Sequence, residues 1–258
     1  MKWSLVVTPN PQAHRSSTLT AVSCPSATFC AAVGTYTTKA DTQGQPLFET
    51  WNGTKWSIQP PGPGPIDISC TSATDCTGVG GNSGSTSTTA PLIEHWDGTG
   101  WSNEPTPKLG TEGGLDSISC TSPTACTAVG TSGNPNGYVA NTLAERWNGT
   151  SWTIQSTPNK VDGAGSTNAL RAVSCASDND CTAVGYWQQY CHDLACQGGL
   201  AERWNGTTWK IQHISAKVSP LLFDAVSCPT TTACTAITSP DFNGGTATAT
   251  WDGAGWKI

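Results

Sequence analysis

The sequence has little charge and no long apolar run. Only 12% of its 258 residues are charged, and 12 Lys and Arg against 18 Asp and Glu leave a net charge of −6. A chain this acidic lacks the basic surface that follows a nucleic-acid backbone or an anionic membrane. No apolar run approaches the roughly 20 residues of a membrane-spanning helix. We therefore expect neither nucleic-acid binding nor membrane insertion.

Motifs of the common enzyme classes are also missing. The sequence has no GxSxG nucleophile elbow, and no glycine-rich loop leads into a helix to hold a phosphate. It has four arginines, and Arg146 and Arg203 occupy the same position of a repeat, which suggests a structural role. Arg15 and Arg171 alone are too few for the three-arginine clamp of a sialidase. We expect no catalytic residues, no cofactor and no metal.

Tryptophan is abundant, and eleven of the 12 tryptophans belong to one repeated motif. The motif reads LAERWNGTSWTI at residues 143–154. Variants recur at residues 48–58, 92–102, 200–211 and 248–258. An Asn-Gly or Asp-Gly pair between two Trp-bearing flanks predicts a tight β-hairpin, because a type I′ turn needs positive φ at both central residues.

The hairpin predicts which side chains share a face. With Asn148-Gly149 as a two-residue turn, Trp147 lies opposite Thr150 and Glu145 opposite Trp152. Alternation along the strands then puts Leu143, Glu145, both tryptophans and Ile154 on one face. The glutamate recurs as Glu49, Glu94 and Glu202 and becomes Ala249 in the last copy. We expect it to accept a hydrogen bond from the cross-strand indole, and we consider a row of catalytic carboxylates the weaker interpretation.

Cysteine marks a second repeat. Ten of the 12 cysteines form five pairs at one spacing, and two more are close together in an insertion. Short local pairs in even number predict disulfides and an oxidising compartment. Zinc is the weaker alternative, because the spacing exceeds that of a zinc knuckle and no histidine accompanies the pairs. The predicted disulfides are Cys24–Cys30, Cys70–Cys76, Cys120–Cys126, Cys175–Cys181, Cys191–Cys196 and Cys228–Cys234.

Each Cys pair lies in a strand–loop–strand segment such as LRAVSCASDNDCTAVG (170–185), and each is followed by a Trp hairpin. Four short strands in about 45 to 57 residues are typical of a β-propeller blade. We predict an all-β, five-bladed propeller with four antiparallel strands and one local disulfide per blade. It forms a single domain over residues 1–258, with repeats at about 8–58, 59–103, 104–154, 155–211 and 212–258. A β-helix or an open array is the alternative.

The first residues resemble the end of a Trp hairpin, since Trp3-Ser4-Leu5 aligns with Trp56-Ser57-Ile58. The apolar stretch is too short for a signal peptide, and no small-residue cleavage site follows it. We expect residues 3–7 to form a closing strand that pairs with the last blade.

The combined pattern, VSCxSxxxCxAVG followed by LxERWNGTxW, resembles the blades of Asp-box (BNR) and Ycf48-like propellers over essentially the whole chain. The turn is one residue shorter than the Asp-box, and a Cys replaces an aromatic or Gly position. The pattern is still more similar to the repeats of secreted actinobacterial proteins. That resemblance implies an extracellular, secreted β-propeller, and it supplies no catalytic residues because the group carries no agreed activity.

Three further features of the sequence are candidate sites. The tip Ser177-Asp178-Asn179-Asp180 is rich in oxygen and could hold calcium, although polar turn chemistry explains it as well. Asn52, Asn148 and Asn205 match glycosylation sequons, but each is explained by its turn. Trp187 is the one tryptophan outside the repeat, in the insertion YWQQYCHDLACQGG (186–199).

The insertion has two interpretations. It is either a disulfide knuckle that covers the core or a binding loop with Tyr186, Trp187 and Tyr190 as an exposed apolar surface edged by His192 and Asp193. We expect a secreted, monomeric, non-catalytic propeller that binds glycans or a cell-surface target through loops and inter-blade clefts. The alternatives are a structural or protein-interaction propeller and, more distantly, a glycoside hydrolase.

Overall fold

The computed structural model describes residues 5–11, 14–42, 44–60, 62, 64–80, 91–134, 139–163, 165–191, 194–214, 222–239 and 245–257. These residues form β-strands and connecting loops and no helix. Accordingly, no helix in the described part of the chain is long and apolar enough to cross a membrane. Within the described residues the strands form three four-stranded sheets and one eight-stranded sheet. We divide them into five four-stranded antiparallel arrays, numbered as modules 1 to 5.

Modules 1 and 2, apart from Leu92, belong to the first of two compact bodies, which comprises residues 1–80 and 93–104. The strands of module 1 are β1 (His14–Ser26), β2 (Phe29–Thr38), β3 (Gln45–Trp51) and β4 (Trp56–Ile58). Those of module 2 are β5 (Asp67–Ser72), β6 (Asp75–Gly80), β7 (Leu92–Trp96) and β8 (Trp101–Asn103).

The second body comprises residues 81–92 and 105–258 and carries the other three modules. Module 3 consists of β9 (Gly113–Ser122), β10 (Ala125–Asn134), β11 (Val139–Trp147) and β12 (Trp152–Gln155). Module 4 consists of β13 (Ser166–Ser177), β14 (Asp180–Cys191), β15 (Leu194–Trp204) and β16 (Trp209–Ile211). Module 5 consists of β17 (Phe223–Thr230), β18 (Ala233–Thr238), β19 (Thr248–Trp251) and β20 (Trp256–Lys257).

Hydrogen bonding joins modules 3 and 4 into one eight-stranded sheet, through a short parallel pairing of β11 with β13. Residues 5–7 were expected in a closing strand, but they lie in no strand, and the exposed fractions of Leu5, Val6 and Val7 are 103%, 53% and 89%. Residues 5–7 therefore do not form the expected strand, and pairing of the segment with the last blade stays a prediction. Residues 3 and 4 lie outside the described part.

The predicted disulfides at the repeated spacing are confirmed. Each joins the first two strands of one module, and the pairs are Cys24–Cys30, Cys70–Cys76, Cys120–Cys126, Cys175–Cys181 and Cys228–Cys234. Cys196 is also disulfide-bonded. The predicted Cys191–Cys196 pairing lies outside the described residues, since the Cys191 side chain is not among them.

The Trp hairpin differs from the predicted two-residue turn. Trp147 pairs with Trp152, so residues 148–151 form a four-residue loop. Asn148 Oδ1 closes the loop by accepting hydrogen bonds from Thr150 N at 2.9 Å, Thr150 Oγ1 at 2.7 Å and Ser151 N at 3.0 Å, while Gly149 has φ of 90°. An Asx side chain thus takes over the role of a backbone turn.

The longer loop moves the predicted register by two residues. Glu145 is opposite Ile154 rather than Trp152, and Trp147 is opposite Trp152 rather than Thr150. Because side chains alternate with period 2, a shift of two residues keeps every side chain on its predicted face. The two indole rings contact each other with centroids 5.7 Å apart. The predicted hydrogen bond between Glu145 and Trp152 is not formed.

Each module has two different faces. The Trp face carries the disulfide, the two tryptophans and the glutamate, and the opposite face carries small residues, as Ala172, Val184 and Ala201 do in module 4. In the second body the Trp face of module 5 packs onto this small-residue face of module 4. In the first body the Trp face of module 2 packs onto Ala31, Val33 and Phe48 of module 1.

The glutamate of the Trp hairpin is buried in modules 1 to 4. The exposed fraction of Glu49 is 1%, and that of Glu94, Glu145 and Glu202 is 0%. Burial raises the pKa of the first three to about 7 and that of Glu202 to about 8. A carboxylate is costly in an apolar core, so these groups are held as neutral acids at mildly acidic pH.

We predict that the folded protein is most stable at acidic pH. An unfolded Glu145 titrates near its ordinary value of 4.5, whereas the folded residue titrates at about 7. Between those values the folded state keeps a proton that the unfolded chain releases, so the free energy of unfolding falls as pH rises and levels off above the window. Denaturant melts at pH 5 and pH 8.5 measure the loss.

The variant Glu145→Gln has no carboxyl to titrate at this position. The loss of unfolding free energy between pH 5 and pH 8.5 should therefore be smaller by on the order of 1–3 kcal/mol. The exposed Glu112 provides the matched control, since Glu112→Gln should leave the pH dependence as it is. Equal stability of the unmodified protein at the two pH values would contradict the prediction.

We also predict that the Asn148 side chain stabilises the four-residue loop through the hydrogen bonds that its Oδ1 accepts. Asn148→Ala removes the acceptor of three hydrogen bonds and should lower the free energy of unfolding by about 1–2 kcal/mol. Asn148→Asp should have little effect, because Asp97 makes the same three bonds in module 2. Thermal melts compare the two variants, and equal destabilisation by both would show that the amide nitrogen, not Oδ1, matters.

Candidate functional site

A β-bulge near the start of the first strand places one extra side chain in each module of the second body. The register shifts by one residue at Asp116 in β9, at Arg171 in β13 and at Asp224 in β17. A bulged residue has no cross-strand partner, so its side chain can point in a different direction from those of its neighbours. We call these three the bulge residues.

Glycine on the second strand allows the close approach that accompanies the bulge. A Cβ on Gly130 would lie 2.0 Å from Gly114 O, and one on Gly185 would lie 2.0 Å from Ala169 O. Any other residue would collide with the first strand at this point. In modules 3 and 4 the Ala-Val-Gly ending of the Cys hairpin is therefore a requirement of backbone packing, whereas module 5 has Thr238 at the equivalent position, opposite Phe223.

The bulge residues line one open cleft, with a volume of about 370 Å³. Its other lining residues are Thr131 from β10, Ala169 from β13 and Tyr186 from β14. The cleft thus collects side chains from modules 3, 4 and 5. We call it the bulge cleft.

Arg171 is held at the centre of the bulge cleft. Its Nη1 donates to Asp224 Oδ1 at 3.0 Å, and its guanidinium carbon lies 4.9 Å from the centroid of the Tyr186 ring. Ser239 Oγ donates to the second oxygen of Asp224. An ion pair on one side and a cation–π contact on the other orient the Arg171 side chain, which is 43% exposed.

Asp116 forms the acidic edge of the bulge cleft. Desolvation by the cleft walls raises the pKa of its carboxyl group to about 6, and the positive charge of Arg171 opposes that rise. The cleft therefore offers a guanidinium donor, carboxylate acceptors, a threonine hydroxyl and one aromatic ring. That set suits a hydroxyl-bearing ligand, because each hydroxyl both donates and accepts.

The insertion residues proposed as a binding surface do not share one surface. Tyr186 lies in the bulge cleft, whereas the Trp187 indole lies against Gly198 and packs on the core of module 4. Both side chains are half-buried rather than exposed. The reason is strand alternation, since successive residues of β14 point to opposite faces. Ligand binding by either residue stays a prediction.

The other residues of that surface lie outside the described part, namely His192, Asp193 and the side chain of Tyr190. The described residues include no cluster of three His, Cys, Asp or Glu side chains that could hold a metal ion. At the tip considered for calcium, the carboxylate of Asp180 pairs with Arg203 at 2.6 Å, and Arg146 donates to Asp178 O at 2.7 Å.

Arg146 and Arg203 have equivalent roles at junctions between modules, as their shared repeat position suggested. The Arg146 guanidinium lies 4.9 Å from the Trp204 ring centroid, and that of Arg203 lies 5.2 Å from the Trp251 centroid. Each arginine of one module thus covers a tryptophan of the next. Arg171, by contrast, belongs to the bulge cleft, and sequence reasoning had assigned it no role.

Comparison with known proteins supports the fold alone. No family model and no curated protein matches the sequence. Among solved structures, the GH74 xyloglucanase from Xanthomonas campestris is 12% identical with a TM-score of 0.56, and the match covers 93% of this chain but only 38% of that one. YCF48 from Cyanidioschyzon merolae is 13% identical with a TM-score of 0.50, over 97% of this chain and 86% of that one.

Both solved structures are propeller-type proteins. The chain is thus an all-β protein with a propeller-type fold, built of four-stranded antiparallel arrays with local disulfides. It spans about 38% of the length of the xyloglucanase. At these identities the likeness concerns architecture and carries no activity across.

We predict that the positive charge of Arg171 lowers the pKa of the Asp116 carboxyl. Arg171→Met removes a positive charge that lowers the pKa of the Asp116 carboxyl, so this pKa should rise above 6. A carboxyl-detected NMR titration measures the change directly. Arg15→Met is the control, because Arg15 is exposed and outside the cleft. An unchanged Asp116 titration in Arg171→Met would mean that the two charges do not interact.

Proposed function

We propose that the chain is a secreted, non-catalytic binding protein of five propeller blades that recognises a glycan in the bulge cleft. The observation that carries the proposal is the fixed Arg171, held between Asp224 and Tyr186 and next to Asp116 in an open cleft. Such preorganised polar groups lose little conformational entropy when a ligand binds. The local disulfides support an oxidising, extracellular location.

The charge of the cleft favours a neutral polyol over an anion. Two carboxylates and one guanidinium leave it slightly acidic, and the whole chain has a net charge of −6. A phosphate backbone would meet repulsion there, whereas sugar hydroxyls find both donors and acceptors. Weak sites of this kind gain strength when the target is a dense surface that offers many copies.

A protein-interaction propeller is the second candidate. It is favoured by an apolar surface on module 1, where the exposed fraction of Val22 is 60% and that of Leu19 is 37%. Retention of a cell-surface protein together with silence on a glycan array would support this role over glycan binding.

A glycoside hydrolase is the third candidate. The raised pKa of the Asp116 carboxyl, in the same cleft as the ion-paired Asp224, is the observation in its favour, since glycoside hydrolysis uses a pair of carboxyl groups of which one is a protonated acid. Turnover of a glycoside that is abolished by Asp116→Asn would establish catalysis in place of binding. We propose that no turnover occurs.

The test of the main proposal begins with a glycan array and continues with calorimetry on the best ligand. We predict that Arg171→Met weakens binding by about tenfold or more, equivalent to 1.4 kcal/mol, because the cleft loses its fixed donor. The control Arg15→Met should bind as the unmodified protein does.

Trp187→Ala locates the site within module 4. If the bulge cleft binds the ligand, folded Trp187→Ala keeps most of the affinity, because the indole is on the other face of β14. Loss of binding in Trp187→Ala with an unchanged melting temperature, and normal binding in Arg171→Met, would place the ligand at the insertion instead.

A further inference from the structure

The Trp hairpins of modules 1, 3 and 4 contain a chemically labile pair of residues. Each four-residue loop begins with Asn followed by Gly, and the asparagines, Asn52, Asn148 and Asn205, are all exposed. Asparagine is among the least durable side chains in proteins. Its amide carbon can be attacked by the backbone nitrogen of the next residue, and a glycine there has no side chain to obstruct the attack. The three loops are therefore candidate sites of covalent modification.

The amide oxygen of each asparagine accepts the same three hydrogen bonds. In module 3, Asn148 Oδ1 accepts from Thr150 N, Thr150 Oγ1 and Ser151 N. Three donors around one carbonyl oxygen are the arrangement that stabilises an oxyanion. The equivalent donors are Thr54 and Lys55 in module 1 and Thr207 and Thr208 in module 4.

Module 2 indicates that this loop favours negative charge on the acceptor oxygen. Asp97 has the position of Asn148, and its Oδ1 accepts from Thr99 Oγ1 at 2.7 Å, Thr99 N at 2.8 Å and Gly100 N at 2.9 Å. These hydrogen bonds lower the pKa of the exposed Asp97 carboxyl to about 2. Hydrogen bonds to a charged oxygen are stronger than those to a neutral amide. The loop therefore stabilises a charged oxygen more than an amide oxygen.

We propose that the loop promotes the conversion of Asn52, Asn148 and Asn205 to aspartate in the folded protein. In module 3 the Gly149 nitrogen gives its proton to a base in the solvent and bonds to Cγ of Asn148. Negative charge develops on Oδ1, where the three donors stabilise it. The bond from Cγ to Nδ2 then breaks, and Nδ2 takes up a proton and leaves as ammonia. The product of this step is a succinimide ring.

Water opens the ring, and the same donors favour one of two products. Addition of water at Cγ breaks the new bond to the Gly149 nitrogen, which restores the main chain and leaves aspartate. Addition at the backbone carbonyl carbon breaks the original peptide bond instead and leaves isoaspartate. Because the donors polarise Oδ1, they favour addition at Cγ. The expected product is therefore a loop like that of Asp97.

The conversion changes charge without changing the fold. Each event adds one negative charge to a chain whose net charge is −6. The carboxylate keeps the three hydrogen bonds that the amide accepts, so modules 1, 3 and 4 acquire the charged loop that module 2 has in its sequence. The modification is independent of glycan binding, because the bulge cleft is lined by other residues.

The test follows each asparagine by mass spectrometry of peptides from the folded protein, after incubation in mildly alkaline buffer for increasing times. Thr150→Val removes the hydroxyl donor of module 3 and keeps the size of the side chain. Conversion of Asn148 should become about threefold to tenfold slower in this variant, as expected for one lost hydrogen bond. Asn52 and Asn205 of the same molecule keep their own donors and should convert at unchanged rates.

Two matched variants serve as controls. Thr207→Val should slow the conversion of Asn205 alone, and Thr150→Ser, which retains the hydroxyl, should convert as the unmodified protein does. Both substituted positions are exposed, and a thermal melt checks that each variant is folded. Should one valine variant unfold, the other gives the same comparison. Enzymatic methylation of isoaspartate measures the second product, whose share at position 148 should rise in Thr150→Val.

Faster conversion of Asn148 in Thr150→Val would overturn the proposal, because the loop would then restrain the amide instead of activating it. Equal rates in the variant and the unmodified protein would also contradict it, since the hydroxyl donor would have no part in the reaction. The same holds if none of the three asparagines is converted in the unmodified protein.

Discussion

The packing of one module's Trp face onto the small-residue face of another is the interaction on which the rest of the structure depends. A four-stranded antiparallel array has two faces and cannot bury both by itself. The repeat resolves this by placing bulky groups on one face and alanine, valine and threonine on the other. Val184 and Ala201 are fully buried because Phe223 and Trp256 of module 5 pack against them. The local disulfide supports this packing by tying together the two strands that form the centre of each junction.

The buried glutamates show that the Trp face is not purely apolar. Glu145 lies in the same row as Ile154 and beside a tryptophan pair, where no charged partner compensates it. Desolvation therefore dominates its titration, and the neutral acid is the form that fits the core. The consequence is a core whose stability is coupled to pH at four equivalent places. A structure with neutral buried carboxyls is suited to mildly acidic surroundings, and ionisation of the same groups in alkaline surroundings lowers its stability.

Much of the fold was predictable because it depends on period and spacing. The five disulfides follow from one repeated Cys spacing, and the face of each hairpin residue follows from alternation, which a two-residue error in register does not disturb. The turn differs from the predicted one, because Asn-Gly is only the first half of a four-residue loop in which the following Thr150 also bonds to Asn148. The bulge cleft was not predicted, because a bulge changes the direction of a side chain without changing the repeat pattern of the sequence. The available signal was the second position of the LxAVSC segment, which holds Asp116, Arg171 and Asp224 between nearly constant neighbours.

The bulge separates the residues that build the scaffold from those that can vary. Gly130 and Gly185 are fixed by backbone contacts that no side chain fits, and the apolar residues on either side of the bulge are fixed by the junctions between modules. The bulged residue itself has neither constraint, since it has no cross-strand partner and faces the cleft. It can therefore be an acid in modules 3 and 5 and a base in module 4 without cost to the core. A repeated scaffold must otherwise keep equivalent positions alike in order to pack. The bulge thus lets this chain place unlike side chains side by side at equivalent positions, and the ion pair of Arg171 with Asp224 is the result.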